Sequence, residues 1–242
     1  MSVRVTGTEI RDRLTGVREN IERALERSGR QGEEVRVLVA TKYYAPEQLS
    51  ALAEAGVDLV GENRAEDLRG KQERFGNSFE WHFIGHLQRR KAKVVAPRVT
   101  LVHSVDSVRL IEELAKRAPE AGIDILVQVN VADEESKYGV SEEELEPILE
   151  AAAATERRVR ARGFMTLAPL VDDPEDVRYI FAKLRTIRDS LRESWSPHFD
   201  LSELSMGMSG DYEVAVEEGA TIVRIGRMLI EEDGPVRRQD GS

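Results

Sequence analysis

The chain has 242 residues, a net charge of -10 and a pI near 5.1. This acidic balance argues against non-specific binding to nucleic acid or anionic membrane, which needs basic patches. Cysteine is absent, which excludes disulfides, thiolate catalysis and cysteine-ligated metals.

The opening "MSVRVTGTEIRDRL" has no apolar core of the kind a signal peptide carries. No run approaches eighteen apolar residues. A cytoplasmic protein without membrane contact is expected. Ile10, Leu14, Val17, Ile21 and Leu25 recur at helical spacing, which predicts a helix over Thr8–Ser28 with Gly29 as a stop.

Eight strand-like runs follow: Val35–Thr41, Val57–Gly61, Glu80–Ile84, Leu101–Val105, Ile123–Val131, Arg158–Met165, Leu201–Met206 and Thr221–Ile225. Helical patterns separate them, over Pro46–Ala55, Arg64–Phe75, Leu87–Ala96, Ser107–Ala118, Ser141–Thr155, Pro174–Glu193 and Asp211–Glu218. Strands alternating with helices predict a parallel sheet with crossover helices. Eight strands close a (β/α)8 TIM barrel, and the chain is near the roughly 250 residues typical of one. The alternative is an open doubly wound sheet, but no Gly-rich dinucleotide turn follows the first strand. Only a short segment, Arg227–Glu232, follows strand eight, so the extra N-terminal helix is expected to cover that gap. One α/β domain is expected over residues 1–232, with a disordered tail over 233–242.

A barrel of this kind places its site at the carboxyl ends of the strands. There the first strand ends on Lys42, and the second on Glu62 and Asn63. "MGMSGD" after strand seven and "RIG" in strand eight supply small residues and a hydroxyl. Barrel phosphate sites usually use the loops after strands seven and eight. Ser209, Gly210 and Gly226 therefore form a candidate phosphate cradle; a pair of tight turns is the alternative. A lysine in a partly dry pocket loses proton affinity and becomes a nucleophile toward carbonyls. Lys42 opposite a phosphate site fits a Schiff base with pyridoxal 5'-phosphate (PLP). A lysine reaching solvent, or one holding phosphate as a point charge, stays open.

His82, His86, His103 and His198 do not form a zinc motif, and satisfied structural histidines are expected. Strand alternation turns Arg224 and Gly226 to one face. An arginine pointing into a packed barrel needs acceptors. The ring nitrogen of a cofactor is one candidate, and Glu62 is another.

Long motifs then match a known family. "LVATK", "VGEN", "WHFIGHLQ", "HSVDS", "VQVNVADEESKYG", "RGFMTLAP" and "LSMGMSGDYEVAVEEGATIVRIG" run from about Val35 to Gly226. On these stretches the chain resembles the pyridoxal-phosphate homeostasis protein family, the proline synthetase co-transcribed homologs. These look like the N-terminal barrel of alanine racemase. The resemblance implies a single barrel with PLP held as an aldimine on Lys42. It implies phosphate contacts from the loops of Ser209 and Gly226, Arg224 facing the pyridine nitrogen, and Asn63 near the ring. Three positions depart from the family pattern. Arg90 stands where an asparagine is usual, Tyr44 where a second lysine often sits, and "LIEE" where "IFG" is common.

The implied function is a PLP carrier or regulator that balances vitamin B6 and amino-acid pools without strong catalytic activity. Such a protein would be a monomer, with PLP-dependent apoenzymes as candidate partners. A racemase-like PLP enzyme and a barrel binding a phosphorylated metabolite non-covalently are the alternatives. Lys137, after strand five, is the next candidate anchor should Lys42 not serve.

Overall fold

The computed structural model describes residues 5–132 and 138–230. Eight parallel strands close into a barrel in chain order. They are β1 (Arg36–Ala40), β2 (Leu59–Glu62), β3 (Glu80–Phe83), β4 (Leu101–Val105), β5 (Ile123–Gln128), β6 (Val159–Met165), β7 (Glu203–Met208) and β8 (Ile222–Ile225). Closure pairs β1 with β8, placing Val37 beside Val223 and Leu38 beside Arg224. The open doubly wound alternative is thereby excluded.

The first helix, α1 (Gly7–Arg27), starts with a capping box: Thr6 Oγ1 accepts from the Glu9 amide, and the Glu9 carboxylate accepts from the Thr6 amide. The crossover helices are α2 (Leu49–Glu54), α3 (Ala65–Phe75), α4 (Ala92–Val95), α5 (Val108–Arg117), α6 (Leu145–Ala153), α7 (Arg178–Trp195) and α8 (Tyr212–Glu217). Beyond β8 only a 3-10 turn, Arg227–Leu229, is described. Helix α1 packs against α8, α2 and that turn, and so covers the gap as expected. Its buried stripe is Ile10, Leu14, Val17, Ile21 and Leu25.

Several crossover helices are shorter than their sequence patterns. Residues Pro46–Gln48, Arg89–Lys91, Ala96–Arg98 and Pro174–Val177 form 3-10 turns instead. Proline has no N–H to donate, so Pro46 and Pro174 open their segments and Pro97 ends α4. The tail over 233–242 and Lys137 lie outside the described residues.

The large core lies between the sheet and its helices. A separate apolar cluster fills the bore: Leu38, Leu59, Leu101, Leu126, Met165 and Ile222. Ile222 and Arg224 share a face of β8, as do Leu101 and His103 of β4. The bore therefore carries polar groups alongside its apolar plug, with His82 level with Leu101.

Candidate functional site

The carboxyl ends of the strands surround a cavity of about 710 Å3. All six residues singled out from the sequence line it: Lys42, Asn63, Ser209, Gly210, Arg224 and Gly226.

Strand β1 stops at Ala40, and a 3-10 turn over Thr41–Tyr43 carries Lys42 beyond it. The expectation of a dry lysine is corrected here. Lys42 is exposed, because the turn lifts it out of the barrel wall. Its Nζ lies 4.9 Å from the centroid of the Tyr43 ring. The Arg227 guanidinium approaches the same ring, at 5.6 Å. Tyr43 also explains Gly226: a Cβ there would come within 2.8 Å of the tyrosine ring. Gly210 differs, since a Cβ would meet nothing within 4 Å. Space does not require that glycine.

The loops bearing Lys42 and Asn63 are tied together from behind. Glu62 is wholly buried, and its Oε2 accepts from Thr41 Oγ1 at 2.7 Å and from Lys71 Nζ at 2.6 Å. Lys71 Nζ also donates to the Thr41 carbonyl at 2.8 Å, and the Asn63 amide donates to Glu62 Oε1 at 2.7 Å. The Asn63 Oδ1 is buried without a hydrogen-bond partner. Gly85 lets the next loop press on this one, since a Cβ there would sit 2.1 Å from the Asn63 carbonyl oxygen.

Arg224 is buried in the floor of the cavity. Its Nη1 donates to Ser205 Oγ at 2.6 Å and its Nη2 to the Thr166 carbonyl at 2.8 Å. Glu62 is committed to Lys71, so the alternative pairing of Arg224 with Glu62 does not occur. Burial lowers the Arg224 pKa to about 10, with Asp211 opposing the shift. The guanidinium stays charged at neutral pH. Asp211 is itself buried in the cavity wall, and burial pushes its carboxyl up. Its Oδ1 accepts from the Met208 amide at 2.5 Å and closes the turn that presents Ser209 and Gly210.

Sequence reading missed Asp211, Lys71 and Tyr43. Asp just before a helix is an N-cap signal and could have marked Asp211. Of the departures, Arg90 is exposed on its 3-10 turn and bonds Gln88 at 3.0 Å. Tyr44 is buried with an unpartnered hydroxyl, and burial raises its pKa. Neither lines the cavity.

His82 and His103 are buried and bonded to each other at 2.9 Å, as expected of structural histidines. Among the described residues no group of three His, Cys, Asp or Glu could hold a metal. Burial lowers the pKa of His82 and carries that of His103 well below the ordinary value. The unfolded chain takes up these protons first, near pH 6.5. This stabilisation is present above that pH and is lost as pH falls below it. Each site contributes a slope of up to about 1.4 kcal/mol per pH unit. Denaturant unfolding between about pH 7.5 and 5.5 should therefore show stability falling with acid. His82→Gln and His103→Gln should each flatten the profile, and an unchanged slope would contradict this origin.

The family described as "Alanine racemase, N-terminal domain" matches residues 13–232. A pyridoxal phosphate homeostasis protein of Aquifex aeolicus is 43% identical over 224 residues, spanning 91% of this chain and 97% of that relative. The solved structure of PipY from Synechococcus elongatus with PLP bound superposes at a TM-score of 0.76. It is 29% identical and spans 92% of this chain and all of that one. Alanine racemase from Corynebacterium glutamicum shares the fold, with a TM-score of 0.68 at 16% identity; the match spans 97% of this chain and 64% of the racemase. Among the described residues no helix is long and apolar enough to cross a membrane. With its closed barrel, its cavity at the strand ends and relatives matched over nearly the whole chain, the chain belongs to the pyridoxal phosphate homeostasis proteins, within the alanine racemase N-terminal domain family.

Proposed function

We propose that this chain binds PLP in the cavity at the carboxyl end of the barrel and serves as a carrier that buffers it. Lys42 is the covalent anchor for the cofactor's aldehyde carbon. Ser209, Gly210 and Gly226 hold the phosphate, Arg224 faces the pyridine nitrogen, and Asn63 lies beside the ring. The protein acts as a cytoplasmic monomer and passes PLP to apoenzymes.

The observation that carries this reading is the convergence of these six residues, from four separate segments, on a single cavity. The donor and acceptor set also fits PLP. The orphaned Asn63 Oδ1 is a polar atom in the cavity lining that no protein group satisfies, as a ligand-binding cavity requires. Arg224 has five N–H donors and spends two contacts on Ser205 and Thr166. The rest suit an unprotonated ring nitrogen. Bound PLP supplies an aldehyde that captures amines and a ring that serves as an electron sink.

A carrier is favoured over a racemase by the relatives that match nearly this whole chain, which are named homeostasis proteins. The charge on Arg224 adds partial support, since racemases tolerate an arginine there. A guanidinium beside the ring nitrogen opposes its protonation and weakens the electron sink. The wild-type protein, loaded with PLP and incubated with alanine in deuterated water, should show no sustained exchange of the Cα proton. Steady turnover would favour the enzyme instead.

Ser209→Ala tests the phosphate cradle. A hydrogen bond to a charged group is worth roughly 1.5–3 kcal/mol, so PLP affinity should fall by about 10- to 100-fold. Pyridoxal, which lacks the phosphate, should bind mutant and wild type alike. Equal losses for both ligands in absorbance titrations would place the phosphate elsewhere.

A further inference from the structure

A string of hydrogen bonds crosses the barrel bore from the cavity to the opposite end. Arg224 Nη1 donates to Ser205 Oγ at 2.6 Å. Ser205 Oγ lies 2.9 Å from His103 Nδ1, and His103 Nε2 lies 2.9 Å from His82 Nδ1. His82 Nε2 lies 2.8 Å from Glu80 Oε1. His103 is on β4 and Ser205 on β7, with β5 and β6 between them in the wall. Their bond can only pass through the interior. Glu80 opens β3, at the barrel end away from the cavity, where Thr100 donates to it at 2.9 Å and Arg36 pairs with it.

The Glu80 end of this string fixes every proton in it. A guanidinium only donates, so Ser205 Oγ accepts from Arg224; its second lone pair can accept again, so the direction of its own proton is set from the other end. A carboxylate only accepts, and Glu80 is ionised, with its pKa held to about 2 chiefly by the His82 hydrogen bond. His82 therefore carries its proton on Nε2. Both histidines are buried, which favours their neutral forms. Neutral His82 accepts at Nδ1 from His103 Nε2–H, which leaves His103 Nδ1 free to accept from Ser205. Both imidazoles are thus Nε2–H tautomers, Ser205 donates to His103, and every donor points away from the cavity.

Buried polar groups are costly unless every one is satisfied, and a satisfied network specifies a unique arrangement. The same bore is elsewhere filled by leucine, isoleucine and methionine. We infer that Ser205, His103, His82 and Glu80 are positioning residues for Arg224, fixing its guanidinium so that its remaining N–H groups face an aromatic ring-nitrogen acceptor in the cavity. Thr166 fixes the other terminal nitrogen through its carbonyl. The inference rests on the reading of the cavity as a PLP site with Arg224 at the pyridine nitrogen.

The test compares PLP with its 1-deaza analogue, in which a C–H replaces the ring nitrogen. Wild type should bind PLP about tenfold more tightly than the analogue, by fluorescence titration. Ser205→Ala and His103→Leu should each lower PLP affinity about five- to tenfold while leaving the analogue within about twofold. Glu80→Gln keeps an acceptor for His82 and should stay close to wild type. Equal losses for both ligands would mean a packing role only, and no loss would mean that Arg224 needs no support; either overturns the inference. A wild type that does not distinguish the two ligands would instead overturn the placement of Arg224 at the ring nitrogen, and the inference with it. A readout independent of ligand and variants is the long-range 15N–1H spectrum of the histidines in the ligand-free protein. Both His82 and His103 should appear as Nε2–H tautomers, and a proton on His103 Nδ1 would overturn the assignment.

Discussion

Lys42→Ala should leave the barrel folded and strip it of covalently retained PLP. The side chain is exposed, and among the described residues no carboxylate pairs with it. Its one described interaction is the approach to the Tyr43 ring at 4.9 Å. Such a contact at an exposed site is worth about 0.5–1 kcal/mol, so stability should change by no more than about 1 kcal/mol. Retention of the cofactor should change far more. After incubation with PLP, borohydride reduction and unfolding, the wild type should carry one adduct by intact mass and the mutant essentially none. A mutant labelled as fully as wild type would move the anchor to another amine, with Lys137 the first to examine.

The second large effect concerns stability, and it lies one layer behind the cavity. Lys71→Met should destabilise the protein by about 3–5 kcal/mol, the usual cost of breaking a buried ion pair from one side. The substitution leaves the Glu62 carboxylate buried with only the Thr41 hydroxyl and the Asn63 amide as donors. In a chain of this size that corresponds to a drop in Tm on the order of 10 °C. Adding Glu62→Gln to Lys71→Met removes the stranded charge and should recover a substantial part of the loss. Thermal and denaturant unfolding of the single and double variants measure this directly. If the double variant is less stable than Lys71→Met alone, charge burial is not what the pair relieves. PLP affinity should fall in Lys71→Met as well, since the pair joins the loops of Lys42 and Asn63.

The barrel was legible because parallel strands buried on both faces read as short, continuous apolar runs. "VLVA" at Val37–Ala40 and "ILV" at Ile125–Val127 each announce a strand in this way. Turn chemistry was harder to read. Nothing in "TKYYAP" says that β1 stops at Ala40 and that a 3-10 turn lifts Lys42 into the open cavity mouth. The premise of a dry lysine failed for that reason, although the position of Lys42 in the cavity lining was foreseen. Residues at strand ends could be found because the fold itself nominates them.

Groups behind the site left no such signal. A lysine in "LRGKQERF" reads as one more solvated charge on a helix. Lys71 falls three residues after Leu68, on the same buried face of α3. The string from Arg224 to Glu80 joins residues on four strands: β8, β7, β4 and β3. Separations as long as 102 residues along the chain are bridged only once the barrel closes. Local pattern carries no trace of such a contact.

The proposal that this cavity holds PLP on Lys42 can be tested on the unmodified protein. The most direct measurement is peptide mapping of the wild-type protein after loading with PLP and reduction with borohydride. The expected result is a single modified peptide whose fragment ions place the pyridoxyl group on Lys42, with loss of the visible absorption band on reduction. A protein that binds PLP without any reducible lysine adduct, or one modified at a lysine remote from the cavity, would contradict it.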